Sequence, residues 1–237
     1  MKASRSDIFR RAKDYLGGDG GLTAFLGLLF LALFLGPLID SGPVRLLTTL
    51  LFSLLLVAGA VTMSRRPKTR FFAGLMAFVA IALRWITHIV PTPAIQRMSG
   101  LATLFFLILL TVVVLARVFK DTRPVTVHRI MGAIAAYLLF AITWAILYNL
   151  LDQVLPQAFN NSVAGGKFDP ERQGALAYYS FITLTTVGYG DMTPTHDVSR
   201  MFAVMEALLG QLYPATLLAR LVSLEVSHRA RESGDSS

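Results

Sequence analysis

Six stretches of this chain are each long and apolar enough to cross a lipid bilayer, and no other feature restricts its fold as much. A spanning helix needs roughly 20 mostly apolar residues. The stretches run from Gly21 to Ile39, Val44 to Met63, Phe71 to Val90, Ser99 to Val118, Val127 to Leu151 and Val198 to Leu224. Lipid offers the backbone no hydrogen-bond partners, so each crossing must satisfy its own amides, as a helix does. Composition agrees. Hydrophobic residues make up 54% of the 237 positions and charged ones 15%, with a mean hydropathy of +0.60, where soluble chains carry about 25% charged residues. The expected fold class is an all-α integral membrane protein with no large soluble core.

The net charge of +8 raises the possibility of a nucleic-acid partner, but the basic residues lie between apolar segments rather than on one folded face. They read as topology signals. Sixteen Lys and Arg flank the spans on one side, from Lys2 to Arg231, and five lie on the other: Arg45, Arg97, Lys167, Arg172 and Arg200. Because the basic excess marks the cytoplasmic side, both termini are predicted to be cytoplasmic, in a multi-pass protein of the plasma (cytoplasmic) membrane. Met1 to Tyr15 is polar and basic for too long to be an ordinary signal peptide and is expected to be retained. The chain has no cysteine, which excludes disulfides and thiolate metal sites. The predicted organisation is a cytoplasmic N-terminus over 1–20, a four-helix unit over 21–118, a linker over 119–126, a second helical unit over 127–224 and a tail over 225–237. No soluble ligand-binding domain is expected in that tail.

Between the last two spans, Asp152 to Asp197 begins too polar to cross and contains a shorter apolar piece, Ala175 to Thr186, which is expected to be re-entrant. It leads into Thr183-Leu184-Thr185-Thr186-Val187-Gly188-Tyr189-Gly190-Asp191. Glycines flanking a single Tyr allow successive carbonyls to face one side, because glycine enters conformations closed to other residues. Four such segments around an axis would stack rings of oxygen able to replace the hydration shell of a cation. The alternative is a glycine-rich turn.

Thr186 to Gly190 resembles the potassium-channel signature T-V-G-Y-G, and the likeness extends to Thr185 before it and Asp191-Met192-Thr193-Pro194 after it. Six spans with one pore loop resemble the voltage-gated-like potassium channels of the compact prokaryotic type. The resemblance implies a homotetramer in membrane lipid that conducts K⁺ passively, catalyses no reaction, and uses no cofactor beyond K⁺ as the permeant ion. It implies K⁺ coordination by the carbonyls of Thr186, Val187, Gly188 and Tyr189, with Gly190 at the outer mouth. It also implies filter support from Thr183, whose hydroxyl would meet Tyr189, and from a Tyr179–Asp191 pair bridging pore helix and filter. Ile182 stands where some relatives have an acid, so a carboxylate brace is absent there.

Asp169-Pro170-Glu171 reads either as the start of the pore helix or as a solvated turn. In the last span Gly210, 24 residues after Thr186, resembles the hinge glycine of the inner helix; close packing on the pore helix is the other reading. Gln211, Pro214 and Leu218 follow as cavity-lining candidates, with Pro214 expected to kink the helix. Glu206 is an intramembrane acid and a functional candidate on that ground, placed behind the filter near Ser180 or Thr183; a protonated structural carboxyl is the bland reading. Arg84 and His88 share a face of the third span, with Asp40 a possible partner for Arg84.

Two rivals remain at this stage, a transporter and a non-conducting modulatory subunit. No internal repeat supports the first, and the intact filter argues against the second. Relatives that sense voltage place a basic residue at every third position of the fourth span. Here only Arg117 stands at its end, so weak voltage dependence is expected, with gating set by lipid, pH, ion occupancy or a partner.

Overall fold

The computed structural model describes residues 25–31, 42–62, 67–120, 127–155, 157–160 and 170–234. These form α1 (25–31), α2 (Gly42–Thr62), α3 (Pro67–Ile89), α4 (Pro93–Lys120), α5 (Val127–Val154), α6 (Pro170–Leu184) and α7 (Asp197–Gly234). Among the described residues the sole extended pairing is an isolated antiparallel bridge between Phe159 and Pro194. Four helices are long and apolar enough to span a bilayer, over Phe71–Ile89, Pro93–Ala116, Ile130–Val154 and Asp197–Val226, and a shorter apolar stretch covers Thr49–Ala60. The chain is an all-α, multi-pass membrane protein. The expected N-terminal segment 1–20, most of the first span, Asp40, Asp169 and the heart of the linker, 121–126, lie outside the described residues.

Proline sets several helix starts. α3, α4 and α6 each open on one, where its missing N–H costs nothing and its fixed φ suits the first turn. Thr92 precedes Pro93 and accepts the Ile95 N–H, so α4 begins six residues before the expected boundary at Ser99 and takes in Arg97. α7 runs as helix to Gly234, ten residues past the expected end of the span at Leu224.

Beside large buried side chains such as Phe106, Leu107 and Leu139, small residues in the core admit close helix contacts, as membrane packing favours. Ala73, Ala77 and Ala80 line the buried face of α3, while Phe71, Phe72, Leu75 and Phe78 on its other faces are 48–69% exposed. That inverted pattern suits a helix bathed in lipid. A Cβ added at Gly59 on α2 would lie 2.7 Å from Leu110 on α4, and one at Gly100 on α4 would lie 2.7 Å from Leu150 on α5. α5 has no single apolar stripe; Ala135, Ala136, Leu139, Ala141, Ile142 and Ala145 are all buried because α4, α6 and α7 pack around it. A helix covered on several sides is apolar all round. α6 and α7 are thereby held against one rigid element.

Candidate functional site

The site grows from the C-terminal end of α6. A helix leaves its last carbonyls without intrahelical donors, and here the following loop supplies them. Thr186 N–H donates to Thr183 O at 3.0 Å, while Val187 N–H (2.9 Å) and Gly188 N–H (3.1 Å) both donate to Ile182 O. In a trans peptide the N–H of one residue and the C=O of the residue before it point opposite ways, and this chain has no cis peptide among the described residues. Three N–H groups turned toward α6 therefore turn the carbonyls of Thr185, Thr186 and Val187 away from it.

An ordinary strand would alternate its carbonyls. This segment does not, because φ is positive at every second residue: Thr186 (60°), Gly188 (54°) and Gly190 (79°). Glycine takes that conformation freely, whereas a residue with a Cβ is strained by about 1–2 kcal/mol. Thr186 is held there by its bond to Thr183 and by a side-chain bond to Gln211. Residues 185–190 are all exposed in the single chain, Tyr189 by 72%, so the carbonyl side faces open space.

Behind the segment lies an aromatic cluster. Tyr148 on α5 is fully buried and meets Tyr179 edge-on at 5.1 Å and Phe159 at 5.5 Å, and Phe159 meets Tyr179 at 5.2 Å. At its centre Glu206 on α7, also fully buried, accepts the Tyr148 hydroxyl at 2.6 Å and lies 2.5 Å from Ser180 Oγ on α6. Ser180 in turn reaches Ala141 O on α5 at 2.8 Å. The polar contact expected for Glu206 thus falls on Ser180 and Tyr148, and Thr183 takes no part in it.

Neither the expected Tyr179–Asp191 pair nor the expected Thr183–Tyr189 pair forms a hydrogen bond within the single chain among the described residues. It is Tyr178 that lies near Asp191. Neighbouring residues on a helix differ by about 100° in direction, and that step sends Tyr179, 4% exposed, into the buried cluster and leaves Tyr178, 41% exposed, on the side of the loop. Thr183 lies near Tyr179, one turn earlier on α6.

α7 backs the loop. At Gly210 an added Cβ would lie 1.8 Å from Leu184 O and 2.8 Å from Leu184 C. Backbone cannot yield as a flexible side chain can, so the absent side chain is what lets α7 touch the end of α6. Packing accounts for this glycine directly. Pro214 stands inside the continuous helix and supplies no N–H for the Gly210 carbonyl. Gln211, Pro214 and Leu218 share one exposed face, Leu218 at 65%, and Gln211 Nε2 donates to Thr186 Oγ1 at 2.9 Å. Tyr213, on the other face, donates to Ala133 O at 2.9 Å and stacks on Tyr137; Tyr137 in turn donates to Leu184 O at 3.1 Å.

The far side of the loop is pinned too. Thr193 N–H donates to Asn160 Oδ1 and Asn160 N–H to Thr193 O, both at 2.9 Å, and Thr195 N–H donates to Ala158 O at 3.0 Å. His196 Nδ1 accepts the Val198 N–H at 3.2 Å at the start of α7. Arg172 near the start of α6 grips Asp152 near the end of α5 with two bonds of 2.7 Å. Tyr148, Tyr137, Asn160, Asp152 and Arg172 carry no motif. The available signal was general: a buried acid or hydroxyl needs a partner.

Arg84 and His88 lie far from this loop in sequence and pack on α2. His88 Nε2 lies 3.0 Å from Thr49 Oγ1, and the Arg84 guanidinium sits 4.6 Å above the ring of Phe52.

A spanning helix, a short helix ending in a loop whose carbonyls share an open side, and a second spanning helix pressed against that end together form one unit. Residues 136–226 match the family described as "Ion channel". The chain is 28% identical over 78 residues to the voltage-gated inwardly rectifying potassium channel KCNH2 of Sus scrofa, covering 33% of this chain and 7% of the relative. It is 31% identical over 72 residues to the human voltage-gated delayed rectifier potassium channel KCNH5, covering 29% of this chain and 7% of the relative. Over 45 residues it is 49% identical to Protein LctB of Geobacillus stearothermophilus, covering 19% of this chain and 33% of the relative. The chain thus spans a small part of the length of these relatives. Residues 136–226 are similar to the ion-channel family, and two of these relatives are named as potassium channels.

Proposed function

We propose that this chain is one subunit of a homotetrameric, K⁺-selective channel of the plasma (cytoplasmic) membrane, with six spans and both termini cytoplasmic. The observation that carries the reading is the shared direction of the Thr185, Thr186 and Val187 carbonyls, fixed by three N–H groups bonded to α6 and by positive φ at residues 186, 188 and 190. Four copies around an axis stack these oxygens into rings that replace the hydration shell of K⁺. Thr186, Val187, Gly188 and Tyr189 coordinate the ion, and Gly190 forms the outer mouth. Tyr178 beside Asp191, Thr183 beside Tyr179 and the Glu206 cluster brace the loop from behind. Pro214 and Leu218 line the cavity below it. Conduction is passive and uses no cofactor. Residues 1–20, the four-helix unit 21–118, the linker 119–126, the pore unit 127–224 and the tail 225–237 remain the working division.

Voltage dependence is weak in this reading. Between Arg97 and Arg117 the fourth span has no charged residue, and each charge moved across the field contributes roughly 2.3 kcal/mol per 100 mV. The test is reconstitution: purified protein in liposomes should be tetrameric by native mass spectrometry and pass K⁺ but not Na⁺. A monomer, or equal passage of both ions, overturns the proposal.

A further inference from the structure

A helix ends on four carbonyls that lack intrahelical donors, and those of α6 belong to Phe181, Ile182, Thr183 and Leu184. The loop caps the first three with its own N–H groups: Thr185 donates to Phe181 O at 3.0 Å, and Thr186, Val187 and Gly188 serve Thr183 O and Ile182 O. The fourth is different. Leu184 is fully buried, and among the described residues the one hydrogen bond to its carbonyl comes from another helix, the Tyr137 hydroxyl of α5 at 3.1 Å. Two contacts from α7 close on the same place. Gly210 abuts Leu184 O, where an added Cβ would lie 1.8 Å away, and Tyr213, on the next turn of α7, stacks on the Tyr137 ring at 6.0 Å with 16° between the planes.

Leu184 O and Thr185 N–H belong to one planar peptide and point opposite ways. With the oxygen held by Tyr137 and the N–H held by Phe181 O, that plane is fixed against rotation. From it the carbonyls of Thr185, Thr186 and Val187 turn to the open side. We infer that Tyr137 is a positioning residue for ion selection: its hydroxyl fixes the peptide plane at the root of the loop and so sets the direction in which the ring oxygens face. Tyr137 itself touches no ion. It acts through Leu184, and the oxygens that a cation meets hold their number and field only while that root is held. This inference rests on the tetrameric K⁺-channel reading above.

The test compares two tyrosines that make the same kind of bond in different places. Tyr137 donates to Leu184 O, and Tyr213 donates to Ala133 O at 2.9 Å; in Tyr137→Phe and Tyr213→Phe one hydroxyl is lost while both rings and their stack remain. Wild type and the two variants are reconstituted in planar lipid bilayers, and the K⁺-to-Na⁺ permeability ratio is read from reversal potentials with one ion on each side. The unfolding temperature of each protein in detergent is measured beside it. Loss of one hydrogen bond per subunit lowers the ratio about five- to tenfold in Tyr137→Phe, while Tyr213→Phe, with a comparable fall in unfolding temperature, keeps the wild-type ratio. An unshifted ratio in Tyr137→Phe, or an equal fall in both variants, overturns the positioning role and leaves the channel reading standing. If Tyr137→Phe forms no tetramers, Tyr213→Leu decides: it keeps the Tyr137 hydroxyl but removes the ring stacked on it, and a wild-type ratio there overturns the role. A wild-type protein that passes K⁺ and Na⁺ equally overturns the channel reading itself.

Discussion

The Glu206 carboxyl on α7 and the Ser180 hydroxyl on α6 lie 2.5 Å apart in a place with no solvent exposure on either residue. Ser180 has one hydrogen and two oxygen neighbours, Glu206 Oε1 and Ala141 O at 2.8 Å. Ala141 O can only accept. If Ser180 donates there, the carboxyl must supply the proton between itself and Ser180, while Tyr148 donates to its other oxygen. A neutral acid satisfies every group of this cluster.

Glu206→Leu would leave the Tyr148 hydroxyl buried without its acceptor and remove a partner of Ser180. Each unsatisfied buried group costs about 1–3 kcal/mol, so a loss of about 2–5 kcal/mol is expected. Glu206→Gln keeps an acceptor for Tyr148 and a donor for Ser180, and should cost less than half as much. Thermal unfolding of the purified variants in detergent compares them; equal losses would mean that the hydrogen bonds are not what makes Glu206 matter.

Gly210→Ala tests packing against hinge. With Leu184 O 1.8 Å from the added carbon, α7 must move off α6, an overpacking cost of typically about 1–3 kcal/mol. The expected result is a lower unfolding temperature together with reduced K⁺ flux. Altered opening at unchanged unfolding temperature would restore the hinge as the main role.

Gly188→Asp addresses the loop conformation itself. An added Cβ at Gly188 would meet nothing within 4 Å in the single chain, so its own chain has space, and φ of 54° is the obstacle. The variant is expected to insert in the membrane and to lose K⁺ flux. Normal flux would remove the basis for carbonyl coordination at that position.

Asp152 and Arg172 form a mostly buried pair, their side chains 17% and 9% exposed. Removing one partner of a buried pair costs about 3–5 kcal/mol, discounted here for the residual exposure to roughly 2–3 kcal/mol. Arg172→Ala and Asp152→Ala should each lose that amount, and the double variant little more. Additive losses in such a cycle would show that the two residues act independently.

Conductance–voltage curves in symmetric K⁺ should be shallow. The absence of charge between Arg97 and Arg117 leaves the fourth span with nothing to move. A steep curve equivalent to several charges per subunit would contradict this.

How much could be read beforehand varied with the kind of signal. Spans announce themselves by length and hydropathy, and the loop by glycines at 188 and 190, because lipid and positive φ each restrict residue choice severely. Gly210 stayed ambiguous since a glycine can serve bending or contact, and only the position of Leu184 O separates them. Tyr178 and Tyr179 look alike in sequence, while a helix turns them about 100° apart and only Tyr179 is buried. Tyr148 was missed altogether. An aromatic residue in an apolar run reads as ordinary core, and its role depends on Glu206, 58 positions away. Asp152 and Arg172 were each legible as charges near span ends, but nothing in a linear reading joins them.

The Ile182 carbonyl, shared by two amides of the loop, has a consequence for assembly. Its donors come from the same chain a few residues later, so the loop takes its shape as soon as α6 and its end have formed. In the proposed tetramer a newly made subunit would arrive at its partners with its quarter of the ring already moulded, with little conformational entropy left to be lost on association. Partner subunits would then align finished edges with no need to teach each other a conformation, and the late step of biogenesis in that tetramer would be one of fitting instead of folding.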